Sequence, residues 1–202
     1  MTVLKNKLGI TNQAELNREE ERISKTNAKR LYDSGDLFKI GIGTFAGLQQ
    51  IHKYLFADIY EFAGVLRDVN ISKGNFRFAP LMYLEHSLAY IDQMPQSTFD
   101  EIIEKYVEMN IAHPFREGNG RPMRIWLDMI FKNELSQVID WNCVNKNDYL
   151  SAMERSPIKD LEIKILLKNA LTDKINERAL FMKGIDASYD YEGYSEFKTE
   201  EL

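Results

Sequence analysis

The run His113-Pro114-Phe115-Arg116-Glu117-Gly118-Asn119-Gly120-Arg121-Pro122-Met123-Arg124 gathers a base, a carboxylate, two glycines around an amide and two arginines within twelve residues. These types at this spacing suit phosphate chemistry. Gly118-Asn119-Gly120 lets the backbone take positive φ and approach a ligand, and the helix that follows starts with N–H groups that lack intrahelical partners and attract anions. Pro122 fits there because it gives up only an N–H that would be unbonded anyway. Arg121 and Arg124, three apart on the first turn, can clamp a polyphosphate. Glu117 is placed to hold Mg²⁺ against that phosphate, since Mg²⁺ takes one or two carboxylates and completes its shell with phosphate oxygens and water. His113, across the loop from the arginines, is the natural general base for an incoming hydroxyl, its ordinary pKa of about 6.5 lying close to working pH.

The elements that must position this run are mostly helical. Ile125, Trp126, Met129 and Ile130, interrupted by Asp128, Lys132 and Asn133, predict a helix with one buried face after the glycines. Upstream, residues 11–32 read as a surface helix with a modest stripe of Ala14, Leu16, Ile23, Ala28 and Leu31, stopped by Asp33-Ser34-Gly35-Asp36. The charge run Arg18-Glu19-Glu20-Glu21-Arg22 is most simply its solvated face. Leu48, Ile51, Leu55, Ile59 and Phe62 predict a second helix over 44–63, with His52 beside the stripe in a structural or solvent role. After Gly64 the pattern loosens into a β-hairpin turning at Lys73-Gly74-Asn75, whose open edge can pair with an extended peptide. Two further helices span 80–93 and 99–112, the second capped by Ser97 or Thr98. His86 on the first of them is read as non-catalytic. Beyond the central helix come a brief extended piece at 138–141, a helix opened by Asn147-Asp148 and another capped by Ser156-Pro157.

The chain has 202 residues, of which 44% are hydrophobic, which suits one globular domain. A net charge of −5 argues against general nucleic-acid binding. The one cysteine, Cys143, excludes an internal disulfide and reads as a small core residue in a reducing compartment. With no secretory signal and no apolar span, the expectation is a soluble cytoplasmic protein with no membrane partner.

The run at 113–124 also resembles a family: it meets all eight specified positions of H-x-F-x-[DE]-G-N-G-R-x-x-R, the signature of the Fic domain. The segment from Ile51 through Gly64 to Arg67 is similar to the helix that leads into the Fic flap. The resemblance implies a mostly α, single-domain fold, with a Fic catalytic domain over 1–180 and a flap at about 65–80. It implies transfer of AMP from Mg²⁺-ATP to a Ser, Thr or Tyr hydroxyl of a target protein. His113 resembles the base, Phe115 the loop anchor and Glu117 the Mg²⁺ ligand. Gly118, Asn119 and Gly120 resemble the cradle of the α- and β-phosphates, with Asn119 on the α-phosphate, and Arg121 and Arg124 resemble clamps on the outer phosphates. Gly120 favours nucleotide transfer, because a lysine stands there in the phosphate-transferring Doc type. Lys73, Gly74, Asn75 and Phe76 fall at the target-docking flap.

Ser188-Tyr189-Asp190-Tyr191-Glu192-Gly193 matches S-x-x-x-E-[GN], the inhibitory motif of self-restrained Fic proteins. Its position resembles the class III arrangement, an inhibitory helix and tail over 181–202. Glu192 would then pair with Arg124 and displace the γ-phosphate. Three alternatives stay open: removal of AMP with Glu192 orienting water, another donor, and a non-catalytic nucleotide-sensing module. Self-modification at Tyr189 or Tyr191 and a homo-oligomer are also left open, packing being the simpler reading of each tyrosine.

Overall fold

The computed structural model describes residues 3–74 and 76–202. Its axis is α5 (Gly120–Leu135), buried along Arg121–Leu127 and Met129–Phe131. A helix apolar on nearly every side must be enclosed by others, and here α1 (Gln13–Asp33), α2 (Phe45–Phe56), α3 (Leu81–Gln93) and α4 (Phe99–Ala112) precede it. After it come α6 (Lys146–Arg155), α7 (Leu161–Asn169) and α8 (Arg178–Glu192). One hydrophobic core runs through all of them, with Trp126, Tyr106, Phe115 and Phe131 among its largest members. Among the described residues no helix is long and apolar enough to cross a membrane.

Local chemistry fixes the ends. Thr98 forms a full capping box with Glu101 at the start of α4, and Gly35 takes φ 76° just past α1. Helix α2 stops at Phe56, seven residues before the predicted end, where other groups take the carbonyls of Leu55 and of the turn that follows. Asn27 Nδ2 donates to Leu55 O at 3.1 Å, Lys7 Nζ to Ala57 O at 2.8 Å and the Lys7 N–H to Ile59 O at 2.8 Å. Ile59 and Phe62 still pack on the core from the turns that follow, which explains why their spacing reads as helix.

The hairpin is shorter than its sequence pattern. Strands β1 (Ser72–Lys73) and β2 (Phe76–Arg77) pair antiparallel, with Lys73 opposite Phe76 and Gly74 at φ 57°; Asn75 lies outside the described residues. It is not the lone ladder, since β3 (Val138–Ile139) pairs antiparallel with β4 (Leu171–Thr172). Asn145, two residues before the predicted start, caps α6 through bonds to the N–H groups of Asn147 and Asp148. Ser156 ends α6 and donates to Met153 O at 2.8 Å, so Ser156-Pro157 closes one helix instead of opening the next. Cys143 is exposed, in a 3₁₀ turn over Trp141–Cys143.

The largest departure is the charge run on α1. Glu20 and Glu21 are buried, not solvated, because each carboxylate meets a full set of donors: Arg121 and Tyr60 for Glu20, Lys25 and the backbone of Glu196 and Phe197 for Glu21. Through Glu21 and Lys25 the helix also fastens the chain beyond α8, Lys25 donating to Phe197 O at 2.6 Å.

Candidate active site

Helix α4 ends at His113, whose backbone takes the left-handed conformation, φ 47°. This turn swings the ring out of the helix and onto Phe78, just past the hairpin, with ring centroids 3.6 Å apart. Nδ1 faces Asn110 O at 3.3 Å, so it carries the proton and leaves Nε2 with the free lone pair. Burial lowers the ring's pKa to about 4; Lys73 and Arg67 push the same way, Asn110 O and Glu192 the other. The imidazole is therefore neutral and competent as a base at neutral pH.

The loop from 114 to 119 is held by its own side chains. Asn119 closes it twice, accepting from the Phe115 N–H at 2.8 Å and donating to Phe115 O at 2.7 Å. Both ends of this amide are committed to the backbone, so Asn119 shapes the cradle before it can touch any ligand. Gly118 takes φ 74°, and a Cβ there would lie 2.8 Å from the Phe56 ring. The first bond of the next helix is Met123 N–H to Asn119 O at 3.2 Å, which leaves the amides of Asn119, Gly120 and Arg121 ahead of the ladder.

His52, read from the sequence as having a structural or solvent role, is buried and anchors this loop. Its ring stacks on Phe115 at 3.9 Å, accepts from the Gly64 N–H at Nδ1 and donates to Glu117 O from Nε2, both at 2.9 Å. One donor and one acceptor are needed, so only the neutral ring satisfies both. Its pKa, lowered by burial to about 4, agrees.

Arg124 and Arg121 part company. Arg124 Nε donates to Ser188 Oγ at 2.5 Å and Nη2 to Ser188 O at 3.1 Å, while Nη2 lies 3.5 Å from Glu192 Oε1. Glu192 Oε2 is 3.9 Å from Lys73 Nζ. Burial pushes the Glu192 carboxyl up, but Arg124, Arg121 and Lys73 together hold it below its ordinary value. Arg121, expected beside Arg124 on a phosphate, instead pairs with Glu20 between the rings of Phe56 and Tyr189. A buried guanidinium needs a carboxylate, and α1 supplies it.

These groups open into one cavity of about 740 Å³, lined by His113, Glu117, the glycine turn, Arg124, Glu192 and the hairpin residues Lys73, Gly74 and Phe76. Arg121 is absent from that lining among the described residues. Glu117 bonds its own loop through Oε1, which accepts from the Gly118 N–H at 2.9 Å, and burial pushes its carboxyl up. A single half-exposed carboxylate beside an amide cradle fits a Mg²⁺ ion held chiefly by phosphate and water. Tyr189 and Tyr191 are buried, Tyr191 bonding Trp141 O and Val144 O, so packing accounts for both.

Sequence reasoning assigned no role to Arg67, although it ties the hairpin to the turn that carries His113. Nε donates to His113 O at 2.9 Å, Nη1 to Val69 O at 2.7 Å and Nη2 to Ala112 O at 3.2 Å and Ala79 O at 2.5 Å. Four carbonyls from two segments converge on one buried cation. Arg67→Met is expected to lower unfolding stability by about 3 kcal/mol, because the carbonyls lose a charged donor and stay buried; denaturant titration checks this.

A helical core with a glycine-lined cradle of backbone amides beside a buried arginine, and a histidine beneath a hairpin, is the arrangement of a Fic-type fold. Residues 44–131 match the model of the Fic/DOC family. The chain is 31% identical over 171 residues to the Sinorhizobium fredii protein named probable protein adenylyltransferase y4lH, an alignment covering 79% of this chain and 85% of that one. The chain belongs to the Fic/DOC family. It is also 30% identical over 216 residues to the protein adenylyltransferase VbhT of Bartonella schoenbuchensis, covering 96% of this chain but only 44% of VbhT. Among solved structures, it is similar in fold to the N-terminal Fic domain of a VirB-translocated Bep effector protein from Bartonella quintana with bound ADP. That match has TM-score 0.69 and 22% identity, over 84% of this chain and 91% of that one. BepC of Bartonella tribocorum with bound AMPPNP matches with TM-score 0.68 and 19% identity, over 85% and 93%.

Proposed function

We propose that this chain is a protein adenylyltransferase, transferring AMP from ATP to a Ser, Thr or Tyr hydroxyl of a target protein, and that Glu192 restrains it. The observation that carries the reading is the single cavity in which a neutral His113 with a free Nε2, the glycine cradle and Arg124 face the hairpin. Nε2 of His113 takes the proton of the incoming hydroxyl. The hydroxyl oxygen forms its bond to the α-phosphorus as the bond to the β-phosphate oxygen breaks, and pyrophosphate leaves. The amides of residues 119–121 and Arg124 offset charge on the phosphates. Glu117 would hold Mg²⁺, which neutralises phosphate charge when bound. The hairpin, with Lys73, Gly74, Asn75 and Phe76, would receive the target segment by strand addition.

Because Glu192 stays charged and faces the same cavity, it can also orient water toward a modified hydroxyl, and removal of AMP is the second reading. The test is incubation of the Glu192→Gly chain, with and without His113→Ala, in target-containing lysate with ATP labelled on the adenosine or on the γ-phosphate. Adenosine label should enter protein only where His113 is present. His113-dependent incorporation of γ-label instead would overturn nucleotide transfer.

A further inference from the structure

Glu192 is held loosely by the groups it faces. Its carboxylate stands 3.5 Å from Arg124 Nη2 and 3.9 Å from Lys73 Nζ, both longer than an ordinary hydrogen bond. The bonds from Arg124 to Ser188 are closer, but a triphosphate entering the cavity would compete for that same guanidinium. Where Glu192 sits therefore depends on what seats α8 outside the cavity, and there a buried lysine of α1 is the centre. We infer that Lys25, with the strap of residues 194–199 that it fastens, positions Glu192 by holding α8 against α1. The consequence for AMP transfer rests on the autoinhibitory reading above; the seating of α8 does not.

Lys25 is fully buried, and its N–H donors find close acceptors in three segments. Glu21 Oε1 of α1 lies at 2.8 Å, Asp186 Oδ1 of α8 at 2.9 Å and Phe197 O of the strap at 2.6 Å. The two carboxylates close the arrangement. Glu21 accepts from the N–H groups of Glu196, at 2.9 Å, and Phe197, at 3.1 Å. Asp186 Oδ1 accepts from the Thr199 N–H at 3.0 Å and from its hydroxyl at 2.7 Å. None of Lys25, Glu21 and Asp186 lines the cavity that holds Glu192. Asp186 precedes Glu192 by six residues, about 9 Å along the helix. Just beyond Glu192, Tyr194 donates to Glu20 Oε1 at 3.0 Å. Glu192 is thus bracketed by two anchors, both fastened to α1.

The packing of α8 sets the sign. A helix of 15 residues is marginal alone. Toward α5, its Leu180, Phe181, Gly184 and Ile185 border a cavity of about 340 Å³, so this side forgoes the contacts of a close-packed face. The α1 side must carry the seating. Without the Lys25 ammonium, Glu21 and Asp186 become two like charges side by side and largely away from water, an arrangement relieved by releasing the strap and α8 into solvent. Released, Glu192 leaves the cradle. Loss of Lys25 should raise AMP transfer, and only while Glu192 is present to be released.

Transfer, read as adenosine label entering protein, is compared in the full chain, Lys25→Met, Glu192→Gly and the double variant. Lys25→Met alone should raise the rate about tenfold or more, and in the Glu192→Gly background it should change the rate by less than roughly twofold. Amide exchange over 186–192 should quicken about tenfold or more in Lys25→Met while α4 and α5 keep their rates. Thr199→Val, which removes one hydroxyl bond with little change of shape, should move both readouts the same way by a smaller factor, and it carries the test if Lys25→Met gives no cooperative melt. No rise in either variant beside an active Glu192→Gly chain would overturn the positioning role and leave the restraint standing. An equal rise in both backgrounds, or exchange quickened throughout the core, would also overturn it, since the effect would not run through Glu192. If Glu192→Gly itself stays slow, the restraint falls; quickened exchange over 186–192 would then still uphold the seating of α8 by Lys25, and unchanged exchange would overturn it.

Discussion

Glu192→Gly is expected to raise the initial rate of AMP transfer about a hundredfold or more. The Glu192 carboxylate lies over the cradle itself, Oε1 standing 3.1 Å from where a Cβ on Gly120 would sit. It also pairs with Arg124 Nη2, which it shares with Ser188 O, while Ser188 Oγ takes Nε. A triphosphate entering this space must give up its contact with Arg124 or seat its phosphates elsewhere. Displacement of about 1 Å at a reacting centre costs on the order of a hundredfold, since positioning supplies much of the barrier reduction. Glu192→Gln should fall between the native chain and the glycine variant, because the amide keeps the bulk and loses the charge that pairs with Arg124 and Lys73. The rate is read as label entering protein, with a cooperative melt confirming that α8 survives. An unchanged rate in a folded Glu192→Gly protein would remove the brake from the account.

The motif, the order of the helices and the hairpin were legible because each is written locally. Glycines and a proline mark a cradle, 3.6-residue spacing marks a buried stripe, and Ser97 or Thr98 marks a cap. Pairings across long stretches of chain were not legible. Glu20 looked solvated because a charge run has no signal for the Arg121 that waits a hundred positions away and needs it. For the same reason Arg121 was assigned to phosphate, when the fold had already given it a counter-ion. Arg67 stood in plain sight after Leu66, but its role depends on four carbonyls brought together only by the hairpin and the end of α4. Helix α2 was overextended because Ile59 and Phe62 obey helical spacing while packing from turns. The cavity under α8 had no sequence signature at all, since its walls come from segments separated by most of the chain.

His113→Ala is expected to lower transfer by about a hundredfold to ten-thousandfold, the usual contribution of a positioned general base. The more diagnostic result is the pH profile of the Glu192→Gly protein, where titration of the restraining carboxylate no longer competes. An imidazole free in water loses its basic form below about pH 6.5. Here burial against Phe78 disfavours the imidazolium and lowers the pKa to about 4, so the neutral, proton-accepting ring persists through the mildly acidic range. Removing Glu192 takes away a charge that favours the imidazolium and leaves Lys73 and Arg67 opposing it, which moves the value down, not up. His113 should therefore impose no limb in the mildly acidic range. The first acid loss of kcat/KM should come from Glu117, whose carboxyl burial raises and which must be ionised to hold Mg²⁺. The His113 limb should lie beneath it, near pH 4 or below, unless the protein unfolds first, which circular dichroism at each pH would reveal. Phe78→Ala, by letting water reach the ring, should move that limb back toward 6.5. A limb already at 6.5 in the unaltered ring environment would mean that His113 is solvated during turnover and that the stacked geometry is not the reacting one.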